Sequence, residues 1–137
     1  YASGSHSGVD FRASIGTPVK AVADGTVLGT GDTDKTCPDA SFGKFIFIQH
    51  YNGLSTTYGH LSLIKVSEGD KVKRGDIIGY SGNTGHTTGP HLHLTVYAAQ
   101  AARMETRPSK SCEGRFYTMP IAPTNAYLDP MYYLPRL

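Results

Sequence analysis

The sequence predicts an all-β protein, on three observations. Glycine is abundant, 16 of 137 residues, beside nine tyrosines, many β-branched residues and no tryptophan; that mixture suits short strands joined by tight turns. Asp24-Gly25 and Asn52-Gly53 each sit between apolar runs, the strongest short-range hairpin signal. In residues 89–97, Leu92, Leu94 and Val96 alternate with His91, His93, Thr95 and Tyr97. A period of two puts the first set on one side of a strand, against a core, and both imidazoles on the other.

The length suits one domain, 1–137, with a buried core. A net charge of +2 and a pI near 8.6 are mild, and the charges are scattered, so nothing calls for nucleic acid. No apolar run approaches the length of a membrane span. No signal peptide is present; a start at Tyr1 is expected of a mature or trimmed chain, so that lack does not argue against export.

Residues 1–8 are small and polar and read as a leading segment. Residues 6–11 hold His6 and Asp10, and Gly8 with Val9 makes them extended or turning rather than helical. Residues 16–28 read as strand, Asp-Gly turn and strand, which makes Asp24 a turn carboxylate. Residues 29–43 are polar, include Cys37-Pro38, and read as a loop inserted in the sheet. Residues 44–50 are apolar throughout their centre, as in a strand covered on both faces, and His50 ends it. After the turn at 51–53, residues 54–61 return as the partner strand with His60 near its far end. Residues 66–81 form another β unit with turns at Glu68-Gly69-Asp70 and Arg74-Gly75-Asp76. This unit resembles a half-motif of lipoyl and biotinyl carrier domains, but the next turn, 82–90, has no lysine to carry a cofactor and leads straight into the His91/His93 strand. Residues 98–104 have some helical propensity, and Pro108, Pro120 and Pro123 break any regular element after them. Residues 98–126 therefore read as a loop excursion off the sheet, and 127–137 as a closing tail.

Cys37 and Cys112 are the only cysteines. Both fall in excursions, and a disulfide between them would close a loop of about 75 residues, worth roughly 4 kcal/mol in the chain-entropy model.

His6, Asp10, His60, His91 and His93 are the residue types of a metal site. Together with their surroundings they resemble the M23 family of zinc metallopeptidases, the lysostaphin-like peptidoglycan endopeptidases. The resemblance lies in His6-Ser-Gly-Val-Asp10, Gly16-Thr-Pro-Val, Ala23-Asp-Gly-Thr-Val, Tyr58-Gly-His60-Leu-Ser, Gly69-Asp-Lys-Val-Lys-Arg-Gly-Asp-Ile-Ile-Gly, Ser81-Gly-Asn-Thr-Gly and Thr88-Gly-Pro-His91-Leu-His93. It runs in unbroken order from His6 to Tyr97 and omits the Cys37 loop and residues 98–126. The chain departs from the pattern at His86, where the family has an arginine, and in the short segment before His6.

The resemblance implies that His6, Asp10 and His93 bind one Zn²⁺ and that His60 and His91 are catalytic histidines outside the ligand set. Two histidines and a carboxylate leave a tetrahedral ion one open position, the arrangement of a catalytic site. The sequence has no His-Glu-x-x-His, so His60 or His91 has to handle the water proton or the oxyanion. His86, in the loop beside the site, is a residue for contacting substrate. The implied architecture is a partly open antiparallel β-sandwich or barrel-like sheet, its groove bordered by loops 29–43, 82–90 and 98–126. The implied substrate is the peptide part of bacterial peptidoglycan, met outside the cytoplasm; cross-links, stem peptides and glycine bridges all fit. Two rivals stand beside this reading: an inactive relative that activates cell-wall amidases by binding, and a peptidase acting on glycine-rich proteins.

Overall fold

The computed structural model describes residues 8–38, 41–51, 53–98, 101–109 and 112–133. Eleven strands lie among them: β1 (Val9–Arg12), β2 (Pro18–Lys20), β3 (Gly25–Asp32), β4 (Lys44–His50), β5 (Ser55–Ile64), β6 (Lys71–Val72), β7 (Ile77–Ser81), β8 (His91–Tyr97), β9 (Arg103–Pro108), β10 (Phe116–Ile121) and β11 (Tyr127–Leu128), with a one-turn helix α1 (Pro130–Tyr133). Nine strands form one antiparallel sheet in the order β1-β8-β5-β4-β3-β6; β11 also pairs with β8, and β7 pairs with both β5 and β2.

β5 turns the corner of this sheet. Its first half pairs with β8 and its last residues, Leu61 to Ile64, with β7. The two arms enclose a core of Val19, Ala21, Val27, Ile46, Ile48, Tyr58, Leu61, Val72, Ile78 and Leu94. The result is an all-β, partly closed sheet, as the alternation in β8 predicts: Leu94 and Val96 are buried inward, and Leu92 packs at the rim. Among the described residues no helix is long and apolar enough to cross a membrane.

Residues 29–32 belong to β3, not to a loop. They look polar because glycines occupy positions that other elements cover. A Cβ on Gly29 would stand 3.0 Å from Met104 Cγ, and one on Gly31 2.8 Å from Phe45 Cε2. The inserted loop therefore begins at Thr33 and opens with a short 3₁₀ turn whose Asp34 N–H is capped by Asp32.

Residues 98–126 also differ from expectation. Arg103–Pro108 and Phe116–Ile121 pair as a two-stranded ribbon, and residues 103–104, read as helix-prone, open its first strand. Pro108 closes a strand and Pro120 lies within one; a two-stranded ribbon tolerates them because its outer edges need no ladder hydrogen bonds. Met104 anchors the ribbon to Phe47 and Tyr97 on the sheet, with Ala102, just ahead of the ribbon, in the same cluster. The tail likewise contributes β11 and α1. Cys37 and Cys112 are joined by a disulfide, Cα atoms 5.7 Å apart, which clamps the ribbon's turn to the loop after β3.

Candidate active site

The site lies on the face of β8 that carries His91, His93 and Thr95. β1 runs beside it with Asp10 opposite His93 and Arg12 opposite His91, and β5 flanks the other side with Gly59 opposite His93. Asp10, His91, His93 and His60 are thereby brought together. His6 falls outside the described residues.

His93 is 3% exposed. Its Nδ1 lies 2.8 Å from Asp10 Oδ1 and its Nε2 3.0 Å from Thr95 Oγ1. Asp10 Oδ1 is also 3.3 Å from His91 Nε2. In the tautomer that donates Nε2–H to Thr95, the Nδ1 lone pair faces a carboxylate oxygen. A cation between them would satisfy both, and imidazole nitrogen with carboxylate oxygen is zinc-site chemistry; in the other tautomer Nδ1–H donates to Asp10 and the Thr95 hydroxyl donates to Nε2. Among the described residues no three His, Cys, Asp or Glu side chains form a group that could hold an ion. Asp10 and His93 fit as two ligands and need a third, for which the sequence offers His6.

His60 reaches this face by an irregularity. Strict alternation along β5 would send His60 inward with Tyr58. Ile46 pairs with Tyr58 but Lys44 with Leu61, so β5 carries one extra residue there, a β-bulge. His60 takes φ +62°, Leu61 goes into the core in its place, and the imidazole turns out beside His91 and His93, ring centroids 4.9 and 5.7 Å away.

Both remaining histidines have fixed tautomers. His60 donates Nδ1–H to the Thr84 carbonyl (2.7 Å) and His91 donates Nδ1–H to the Gly89 carbonyl (2.7 Å). Each keeps Nε2 for the site. Burial above all, and then the imidazoles of His93 and His91, push the His60 pKa down to about 4, against the raising effect of the Thr84 bond. Its Nε2 therefore carries a lone pair at neutral pH and can accept a water proton or, once protonated, stabilise an oxyanion.

Two loops hold His60. Its backbone N–H donates to the Phe42 carbonyl (2.7 Å), and the Phe42 ring leans on His93 at 5.8 Å between centroids. The loops cross where Gly43 meets Gly85: a Cβ on either would stand 2.4 Å from the other's backbone nitrogen. His86 is exposed and is tied in by its backbone, N–H to Ser41 O at 2.8 Å. His50 and Asp24 lie elsewhere: His50 Nδ1 is 2.9 Å from Asp24 O, and Asp24 Oδ1 accepts the Arg74 N–H.

Sequence reasoning passed over Thr84, Thr95, Phe42 and Arg12. The alternation that marks His91 and His93 extends to Thr95, and that from Asp10 extends to Arg12, so both were within reach. Thr84 and Phe42 depend on the loop crossing, for which the sequence holds no local signal.

The profile of peptidase family M23 matches residues 4–105. The chain is 51% identical over 91 residues to the peptidoglycan DD-endopeptidase ShyA of Vibrio cholerae, covering 66% of this chain and 20% of that protein. It is 44% identical over 92 residues to the glycyl-glycine endopeptidase ALE-1 of Staphylococcus capitis, covering 66% and 24%. Its fold is similar to that of the catalytic domain of the antimicrobial peptidase lysostaphin from Staphylococcus simulans, with a TM-score of 0.70 and 33% identity over 95% of this chain and 79% of that one. The chain thus spans a fifth to a quarter of the length of these two curated relatives.

Proposed function

Because the chain belongs to peptidase family M23, we propose that it is a zinc-dependent endopeptidase that hydrolyses amide bonds in the peptide part of bacterial peptidoglycan, outside the cytoplasm. The observation that carries this reading is the convergence of Asp10 and His93 with His60 and His91, whose Nε2 atoms are both left for the site. We assign His6, Asp10 and His93 as the metal ligands. When bound there, zinc supplies an activated water and polarises the scissile carbonyl.

The protein's own groups do the rest. With Nδ1 given to the metal, the Thr95 hydroxyl would accept the His93 Nε2–H and so orient the ring and sustain its basicity. His60, neutral and buried, takes a proton at Nε2. His91, whose Nδ1–H is held by the Gly89 carbonyl, steadies charge developing on the carbonyl oxygen once its Nε2 also carries a proton to donate. Residues 41–43 and 84–86 cross beside these residues and form one wall; residues 1–137 act as one peptidase domain.

The test is zinc stoichiometry on the purified chain, paired with release of peptides from purified peptidoglycan. One zinc per chain with release that a chelator stops and added zinc restores is the expected result. A chain that takes up no zinc on reconstitution would sink the reading and favour the amidase-activating rival.

A further inference from the structure

We infer that Arg12 selects a substrate carboxylate close to the bond being cleaved. Arg12 lies directly across from His91 in the register of β1 on β8, two residues after Asp10, which lies across from His93. Directly opposed residues on an antiparallel pair share a face, so Arg12 stands on the same face as both histidines and Asp10. Val9, on the other face, packs against the core. β1 is the edge of the sheet order, and Arg12 is exposed there.

Its charge is available. Among the described residues no carboxylate forms an ion pair with Arg12; the nearest acid on its strand and face, Asp10, has Oδ1 within 2.8 Å of His93 Nδ1 and 3.3 Å of His91 Nε2. A guanidinium offers a planar fork of donors that matches a carboxylate, and it stays charged at any pH the protein meets. Placed beside the reacting centre, that fork fits a peptide whose ionised carboxylate sits one or two residues from the scissile amide. It gives nothing to a neutral glycine bridge.

The inference rests on the peptidase reading and narrows it. Of the bonds the family resemblance leaves open, it points to cross-link or stem bonds flanked by an acid rather than to glycine–glycine bonds.

The experiment uses zinc-loaded protein and two substrates: cross-linked peptidoglycan peptides with free carboxylates, and the same peptides with the carboxylates amidated. For the wild-type chain the acidic peptide is expected to show a KM about five- to tenfold lower than its amide, at similar kcat, as for a charge-assisted pair at a partly open site. Arg12→Ala should merge the two KM values, and Arg12→Lys should retain part of the preference. An Arg12→Ala variant that keeps the wild-type preference, or a wild type that shows none, overturns the inference. If neither peptide is cut, the peptidase reading fails on its own, and the Arg12 Nε–H resonance, identified by its loss in Arg12→Lys, decides the rest. A saturable shift with the acidic peptide only upholds the carboxylate site; no shift overturns that as well.

Discussion

The Nδ1 of His60 lies 2.7 Å from the carbonyl oxygen of Thr84, and the hydroxyl of that same threonine donates to Leu61 O (2.7 Å) while accepting the Lys44 N–H (3.1 Å). The Thr84 side chain thus stitches its own carbonyl to the strand that carries His60. Thr84→Val keeps the shape and removes the stitch. We expect kcat to fall about tenfold with KM little changed, and stability to drop by about 1–3 kcal/mol for the orphaned partners. Thr84→Ser should recover most of both. Nitrogen-15 spectra of the His60 ring provide a readout independent of turnover: the Nδ1–H tautomer should weaken in Thr84→Val and persist in Thr84→Ser. An unchanged tautomer in Thr84→Val would show that the carbonyl is held by other bonds.

The left-handed backbone at His60, φ +62°, makes a separate prediction. A non-glycine residue there costs about 1–2 kcal/mol, and glycine gives back about 0.5–1 of that through its looser unfolded chain. His60→Gly should therefore be more stable than His60→Ala by about 0.5–1 kcal/mol in urea denaturation, with both lacking turnover. Equal stabilities would mean that the bulge relaxes when the imidazole is removed.

This bulge also marks where the sequence stops being readable. The alternation in 89–97 places His91 and His93 on one face because β8 is regular from end to end. Asp10 is placed by the same rule once β1 is known to pair with β8. His60 is not: a period of two sends it to the core with Tyr58, and only the extra residue opposite Phe45 turns it outward. The glycines at 29 and 31 read as loop because their burial comes from Met104 and Phe45, distant in sequence. The ribbon was obscured by prolines that an edge tolerates. Contacts formed by two loops meeting, Phe42 with His93 and Thr84 with His60, leave no trace in local pattern.

Gly59 and Phe42 are coupled through the site. A Cβ at position 59 would stand 2.9 Å from Phe42 Cδ1 and 3.6 Å from His93 Cβ. The Phe42 ring is the part able to move, and moving it disturbs both its packing on His93 and the carbonyl that receives the His60 N–H. Gly59→Ala is expected to cost about 1–3 kcal/mol, as overpacking does, and to lower turnover. In a double-mutant cycle, Phe42→Ala should cost less in the Gly59→Ala background than in the wild type. Additive costs would show that the new methyl is accommodated elsewhere.

His50 gives the pH dependence of stability away from the active site. It is 2% exposed, with Nδ1 2.9 Å from Asp24 O and Nε2 2.8 Å from Thr56 Oγ1. Burial lowers its pKa below the ordinary 6.5, outweighing the raising effect of the Asp24 carbonyl. The folded protein therefore resists a proton that the unfolded chain accepts near pH 6.5. The unfolded state binds more protons as pH falls, so stability from this residue is complete above about pH 6.5 and declines below it, until the folded form protonates in turn. The slope contributed is at most about 1.4 kcal/mol per pH unit. Urea denaturation of wild type and His50→Gln at pH 5, 6, 7 and 8 isolates it, because the other histidines and any bound zinc act on both proteins alike. The wild type should lose stability more steeply between pH 7 and 5 than the variant does. Parallel curves would mean that His50 titrates alike in both states and that its two hydrogen bonds compensate fully for burial.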